Sequence, residues 1–147
     1  MNADARYIDF ANTKGFDETG FDPSTFAVRG FGWKSMAVVA VGVEHALRPG
    51  LPIRAGYSYN DNPIDSAASF FNAPAPAIVQ RHLSGGFSVD FTEKLTLSMA
   101  AQDGLENNVS GNWKTVGPDG STVSIPGTTA SCTLSTFTAA AGVHMKF

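Results

Sequence analysis

Residues 132–147 place Phe137, Ala139, Ala141, Val143, Met145 and Phe147 on one face, and Thr136, Thr138, Ala140, Gly142, His144 and Lys146 on the other. A period of two belongs to a strand with one apolar and one polar side. Residues 51–60 repeat the pattern, with Leu51, Ile53, Ala55, Tyr57 and Tyr59 set against Arg54, Gly56, Ser58 and Asn60. Looser versions fall at about 3–10, 35–46, 78–91 and 94–103, and no stretch carries a convincing helical period. The expectation is an all-β, antiparallel fold of about six strands forming one segment over 1–147.

The connections narrow this further. Long loops at 11–34, 61–77 and 104–131 alternate with tight turns at Arg48-Pro49-Gly50 and Thr92-Glu93-Lys94. Strict long-short alternation is the habit of transmembrane barrels, whose periplasmic turns are short and external loops long. The parity makes the last strand end on the short-turn side. A turn at Arg48-Pro49-Gly50, with Gly50 free to take positive φ, predicts a register. Val43 falls opposite Ala55, Val41 opposite Tyr57 and Val39 opposite Tyr59. On the other face Glu44 meets Arg54, Gly42 meets Gly56 and Ala40 meets Ser58. An opposite-charge pair on the polar face suggests a wet interior. From Phe137 to Phe147 the last strand would span roughly 25 Å of membrane height at the usual rise and tilt. That is the height of the apolar band between aromatic girdles. Tyr57 and Tyr59 would then join the external girdle, and Phe87 and Phe91 the periplasmic one. The same aromatics would also serve to fill a soluble core.

Composition excludes several classes. Charged residues make up 16% of the chain, against about a quarter in soluble domains. The net charge of −3 offers no basic footprint, so no nucleic acid is expected as a partner. With one cysteine, Cys132, no intrachain disulfide can form, and a wall-filling role suits it better than a reactive one. The opening Met1-Asn2-Ala3-Asp4-Ala5-Arg6 carries neither the basic nor the apolar region of an export leader. Six strands are too few to close a lipid-exposed barrel, since bacterial examples begin at about eight. An open edge in hydrocarbon would strand backbone N–H and C=O groups. The chain is therefore expected to be the C-terminal portion of a larger barrel, incomplete in itself.

Particular stretches resemble the FadL/TodX family of outer-membrane transporters. They are Trp33-Lys34, Val41-Gly42-Val43-Glu44, Ile53-Arg54-Ala55-Gly56-Tyr57-Ser58-Tyr59-Asn60 with the following Asn62-Pro63-Ile64, and Phe71-Asn72-Ala73-Pro74-Ala75-Pro76-Ala77-Ile78-Val79. His82-Leu83-Ser84-Gly85-Gly86-Phe87 and the terminal Ala141-Gly142-Val143-His144-Met145-Lys146-Phe147 complete the likeness, which runs from about residue 3 to the end. The Arg-Ala-Gly-Tyr-Ser-Tyr stretch with its Asn-Pro-Ile is the most specific piece. The resemblance implies a fourteen-stranded barrel in the bacterial outer membrane. It also implies passive uptake of long-chain fatty acids or other hydrophobic compounds, such as aromatic hydrocarbons. The plug and kinked early strand that carry out such uptake have no counterpart in this stretch, so transport would be a property of the parent protein. The implied partners are hydrophobic small molecules, outer-membrane lipid and lipopolysaccharide, and the barrel-assembly machinery acting through the C-terminal strand.

Candidate site residues follow from the loops and the inward face. Ile64, Phe70 and Phe71 lie in a Pro-rich segment that is apolar for a loop facing water. They would either line a capture groove for a greasy ligand or fold inward and plug their own loop. Arg54 faces inward and would meet either a fatty-acid carboxylate or Glu44, the ion pair being the simpler reading. His82, also inward, is a ligand contact or a satisfied wall residue. Asp17, Glu18 and Asp22 have hard-cation spacing, but a solvated acidic loop explains them as well. His45, His82 and His144 stand without a nucleophile partner, and there is no Gly-x-Ser-x-Gly elbow or metal-ligand cluster. No enzyme activity, metal or cofactor is expected. The alternatives left open are a general porin or structural outer-membrane barrel, and a soluble β-sandwich or lipid-binding barrel.

Overall fold

The structure, a computed structural model, describes residues 1–146. Phe147, the expected lower end of the last strand, lies outside the described residues. Six strands form one antiparallel sheet: β1 (Asn2–Ile8), β2 (Met36–Arg48), β3 (Leu51–Asn60), β4 (Arg81–Thr92), β5 (Leu95–Gly111) and β8 (Ala130–Met145). They lie in chain order, interrupted only by a small hairpin of β6 (Lys114–Val116) and β7 (Thr122–Ser124). The sheet is open, with β1 and β8 at its edges. Among the described residues, no helix is long and apolar enough to cross a membrane.

The β2–β3 register is the one the turn predicts: Val43 with Ala55, Val41 with Tyr57, Val39 with Tyr59 and Glu44 with Arg54. Gly50 takes φ +76°, the left-handed conformation that closes the turn. Both tight turns share one device. The ladder slips between Ala46 and Arg48 and again between Asp90 and Thr92, so Leu47 and Phe91 are each an extra bulged residue. The two turns sit at one end of the sheet, where the Asp90 amide donates to the Gly50 carbonyl.

Among the boundaries that differ from expectation, three shape the loop end of the sheet. β4 begins at Arg81 rather than at 78, because Ile78 is drawn into a loop core at 0% exposure. β5 does not stop at 103 but continues to Gly111, and β8 begins at Ala130. The expected long loop 104–131 is therefore shortened to 112–129, which carries the β6–β7 hairpin. Alternation fails at this point because of a bulge, in which Leu105 and Glu106 together oppose only Ser135, between the pairs Gly104–Thr136 and Asn107–Leu134.

That bulge separates two environments. On the turn side of it, the convex face carries Val41, Tyr57, Leu83, Met99 and Phe137, all exposed. The opposite face carries Asn2, Arg54, Ser84, Ser98, Gln102 and Thr138. Beyond the bulge the polarity inverts. Val109, Cys132 and Leu134 turn to the inner side, and Asn108, Ser110, Ser131 and Thr133 to the outer. The most deeply buried apolar cluster, Ile64, Ala68, Ile78 and Val109, with Trp33, Cys132 and Leu134 packed on it, lies in this loop-end cap. The core is in the cap, while the broad face of the sheet has none.

Candidate functional site

The inner face curves into an open trough of about 980 Å³. Small residues make the room: Gly42, Gly56, Gly86, Ala100, Ala140 and Gly142 all line it. Strand pairing puts these residues side by side, with Gly42 opposite Gly56, and Ala100 between Gly86 and Ala140. A row of minimal side chains on one face leaves space where larger ones would meet.

Charge in the trough is internally paired. The Arg54 Nε donates to the Glu44 carboxylate at 2.7 Å, and its Nη1 donates to the Ser88 hydroxyl at 2.8 Å. Ser88 and Ser98 share a further hydrogen bond of 2.9 Å across β4 and β5. The Arg54–Glu44 pair is roughly half exposed, so water screens it. Arg54 is thus held by Glu44, as its spacing suggests. Ser88 and Ser98 were not singled out by the sequence, because their link to Arg54 runs across three strands.

Of the loop residues, Ile64 is 1% exposed in the cap core and presents no surface to a ligand. The expectation that it lines a groove does not hold, because its side chain fills the space beneath Ala68 and Ile78. Phe70 and Phe71 sit on a single 3-10 turn, Ser69–Asn72. Phe71 is buried and Phe70 half-buried, and the two stack edge-on at 5.3 Å. Both face Phe21, and Phe70 also faces Trp113. They fold inward, as the plug reading has it. A second aromatic group, Phe10, Phe16, Phe31 and Trp33, packs beside them.

Asn72 holds these groups together and was not anticipated as more than part of a loop. At 1% exposure it accepts from Trp33 Nε1 at 2.6 Å and donates to the Phe31 and Ala68 carbonyls at 2.7 and 2.9 Å. A buried amide with its partners supplied cross-links two loops through hydrogen bonds worth more than their exposed equivalents. Lys34 adds an ion pair to Asp65 at 3.0 Å, which holds the Asp65 carboxyl below its usual range.

His82 lies on the inner face, paired with Ser58 and Gly104 under the cap. Gly104 is required there, since a Cβ would collide with the Thr136 hydroxyl and approach Val79. The acidic loop is committed to its own turn. Glu18 pairs with Arg29 at 2.7 Å, and Asp22 accepts from the Ser24 hydroxyl and from the Ser24 and Thr25 amides. Those bonds, the Ser24 hydroxyl first, hold the Asp22 carboxyl well below the usual carboxylate range. Among the described residues, no group of three His, Cys, Asp or Glu side chains is placed to hold a metal.

What the arrangement can do chemically is present three surfaces: an apolar convex face, an open trough whose Arg54 and Glu44 are paired, and a packed aromatic cap at one end. No protein-family model, curated protein or solved structure matches this chain.

Proposed function

We propose that this sheet is part of the wall of a bacterial outer-membrane barrel that admits hydrophobic compounds, as its likeness to FadL/TodX transporters implies. The observation that carries the reading is the inversion of polarity at the Gly104–Asn107 bulge. On β5 and β8, large apolar side chains such as Met99 and Phe137 stand exposed on the convex face only on the turn side of that line, as a wall in hydrocarbon requires. Beyond it the convex face turns to Asn108, Ser110, Ser131 and Thr133, as a wall in water requires. A soluble sandwich would cover the apolar face with a second layer, whereas here the deepest packing lies in the cap instead. His45, which points out among the apolar residues, stands close to the Arg48–Gly50 turn, where the band would meet the periplasmic interface.

The edges β1 and β8 run antiparallel to one another, so further strands could continue the wall from both. The trough would become part of the lumen. The C-terminal strand would be the segment read by the barrel-assembly machinery, and the convex face would contact lipid and lipopolysaccharide.

The test is expression of the full-length protein with an export leader in a Gram-negative host, followed by density flotation and uptake of a radiolabelled long-chain fatty acid. Flotation with outer membranes and protein-dependent uptake are expected. Recovery in the soluble fraction without detergent would sink the membrane reading. The hydrogen-bonded trough also suits a general porin, which would float as well but pass hydrophilic solutes without accelerating fatty-acid uptake.

A further inference from the structure

The segment 61–80 does not rise away from the sheet but turns over its inner side. Three observations fix that direction. Ile64, Ala68 and Ile78 pack on Val109, Cys132 and Leu134, whose side chains lie on the trough side of β5 and β8. Asn107, on the same side, donates to the Ile78 carbonyl at 2.7 Å and to Gln80 at 3.0 Å. Val79 reaches the space over Gly104, on the row that joins His82 to Thr136. Gly111 completes the fit, since a Cβ there would strike the Ser66 carbonyl. Trp33, from the β1–β2 loop, closes on the same segment through Asn72.

The trough begins just below this layer, at the row of Asn2, Ser84 and Gln102. We propose that residues 61–80, seated on Val109, Cys132 and Leu134, form a closed apolar roof over this side of the lumen that bars hydrophilic solutes from the trough. The inference rests on the reading of the sheet as a barrel wall. Physically, a layer whose interior is packed with Ile, Ala and Phe side chains leaves no wetted path through it and so blocks ions and sugars that cannot shed their hydration. The buried polar groups of the roof already have partners within it, on the β1–β2 loop or on β5, so solutes find no hydrogen bonds there to replace those they would lose. The consequence is a division of labour. The trough is wet, but it is not filled directly from outside through this part of the mouth.

The experiment uses the full-length protein reconstituted into phospholipid vesicles, with osmotic swelling in arabinose as the readout. Folding is checked by flotation and by heat-modifiable migration. Wild-type vesicles should swell at the protein-free baseline. The variant Ile78→Asp, which places a charge in the roof's seat, should swell above that baseline. A second variant, with residues 66–76 replaced by a Gly-Ser linker, gives the same test without a buried charge, should Ile78→Asp fail to fold. Wild-type protein that floats and swells its vesicles overturns the roof while leaving the barrel reading intact. Folded linker variant that swells no faster than wild type also overturns it, since the barrier then lies elsewhere. Wild-type protein that does not float removes the barrel reading and the roof with it.

Discussion

Substituting neighbouring residues on β5 separates a lipid-facing wall from a soluble one. Met99 stands midway between Asp103 and the Glu93-Lys94 turn, pairs with Phe87 and Ala141, and is 47% exposed on the convex face. Ala100, one residue on, lines the trough. In a membrane, Met99→Arg puts a guanidinium near the hydrocarbon midplane at a cost of about 2–4 kcal/mol. At 1.4 kcal/mol per factor of ten, that is roughly a 30- to 700-fold loss in the folding equilibrium. Ala100→Arg puts the same group into a hydrated concavity, where surface substitutions stay within about 0.5 kcal/mol. The assay is urea titration of the full-length protein in phospholipid vesicles, with the folded fraction read from heat-modifiable migration. Met99→Arg should lower the midpoint strongly and Ala100→Arg hardly at all. Equal midpoints would mean that both faces see water. A larger loss at Ala100 would mean that the trough side is the dry core, and the wall reading would fail.

Three further outcomes follow from the cap and the trough. Replacing Asn72 by Leu leaves Trp33 Nε1 and the Phe31 carbonyl without their buried partner, while the Ala68 carbonyl keeps the Phe71 amide. At about 1–3 kcal/mol for each stranded group, the cap should loosen, and protease should cut within 61–80 while the strands stay protected; an unchanged digestion pattern would count against this. Arg54→Met should shift the urea midpoint by no more than about 1 kcal/mol, because the ion pair is half exposed; a loss above about 3 kcal/mol would show the pair to be buried in the assembled protein. Acid should loosen the cap before the sheet. The Ser35 hydroxyl holds Asp9 below the usual carboxylate range, Ser24 does so for Asp22, Lys34 for Asp65 and Ser121 for Asp119. Carboxyls depressed in the folded state add stability that is complete above their unfolded value near 4 and is lost as pH falls through the folded values. Both tryptophans, Trp33 and Trp113, lie in the cap, so their fluorescence should change below about pH 4 and stay flat above it.

The strands that could be read directly were those in which every second side chain meets one environment. Alternation and the Arg48-Pro49-Gly50 turn were enough to place Glu44 against Arg54, because a hairpin register is a local property. The extension of β5 was hidden by Leu105 and Glu106, which share one partner and throw the alternation out of step. Beyond them Val109 and Asn107 turn inward, opposite to the parity extrapolated from Met99 and Ala101. Ile78 looked like strand because its apolar neighbours suited a wall, yet its burial comes from Ile64 and Ala68, which are distant in sequence. Asn72 was invisible for the same reason: its partners Phe31 and Trp33 come from another loop. Phe70 and Phe71 were legible as an apolar anomaly. Which way they folded depended on Phe21 and Trp113, contacts that no local pattern encodes.

The bulge at Leu105-Glu106 also bears on how this chain can change in length. It works as a spacer: two residues share the place opposite Ser135, so Gly104, Asn107 and Val109 all face inward. Pairing the unaltered chain without the bulge would turn Val109 to the water side and Asn108 against Ile78. Removing either Leu105 or Glu106 would instead restore simple alternation with Val109 still opposite Cys132 on the inner side. Losses of a single residue among functional descendants should therefore collect at this bulge and in the β6–β7 hairpin beyond Gly111, the places where they leave every inward partner where it is.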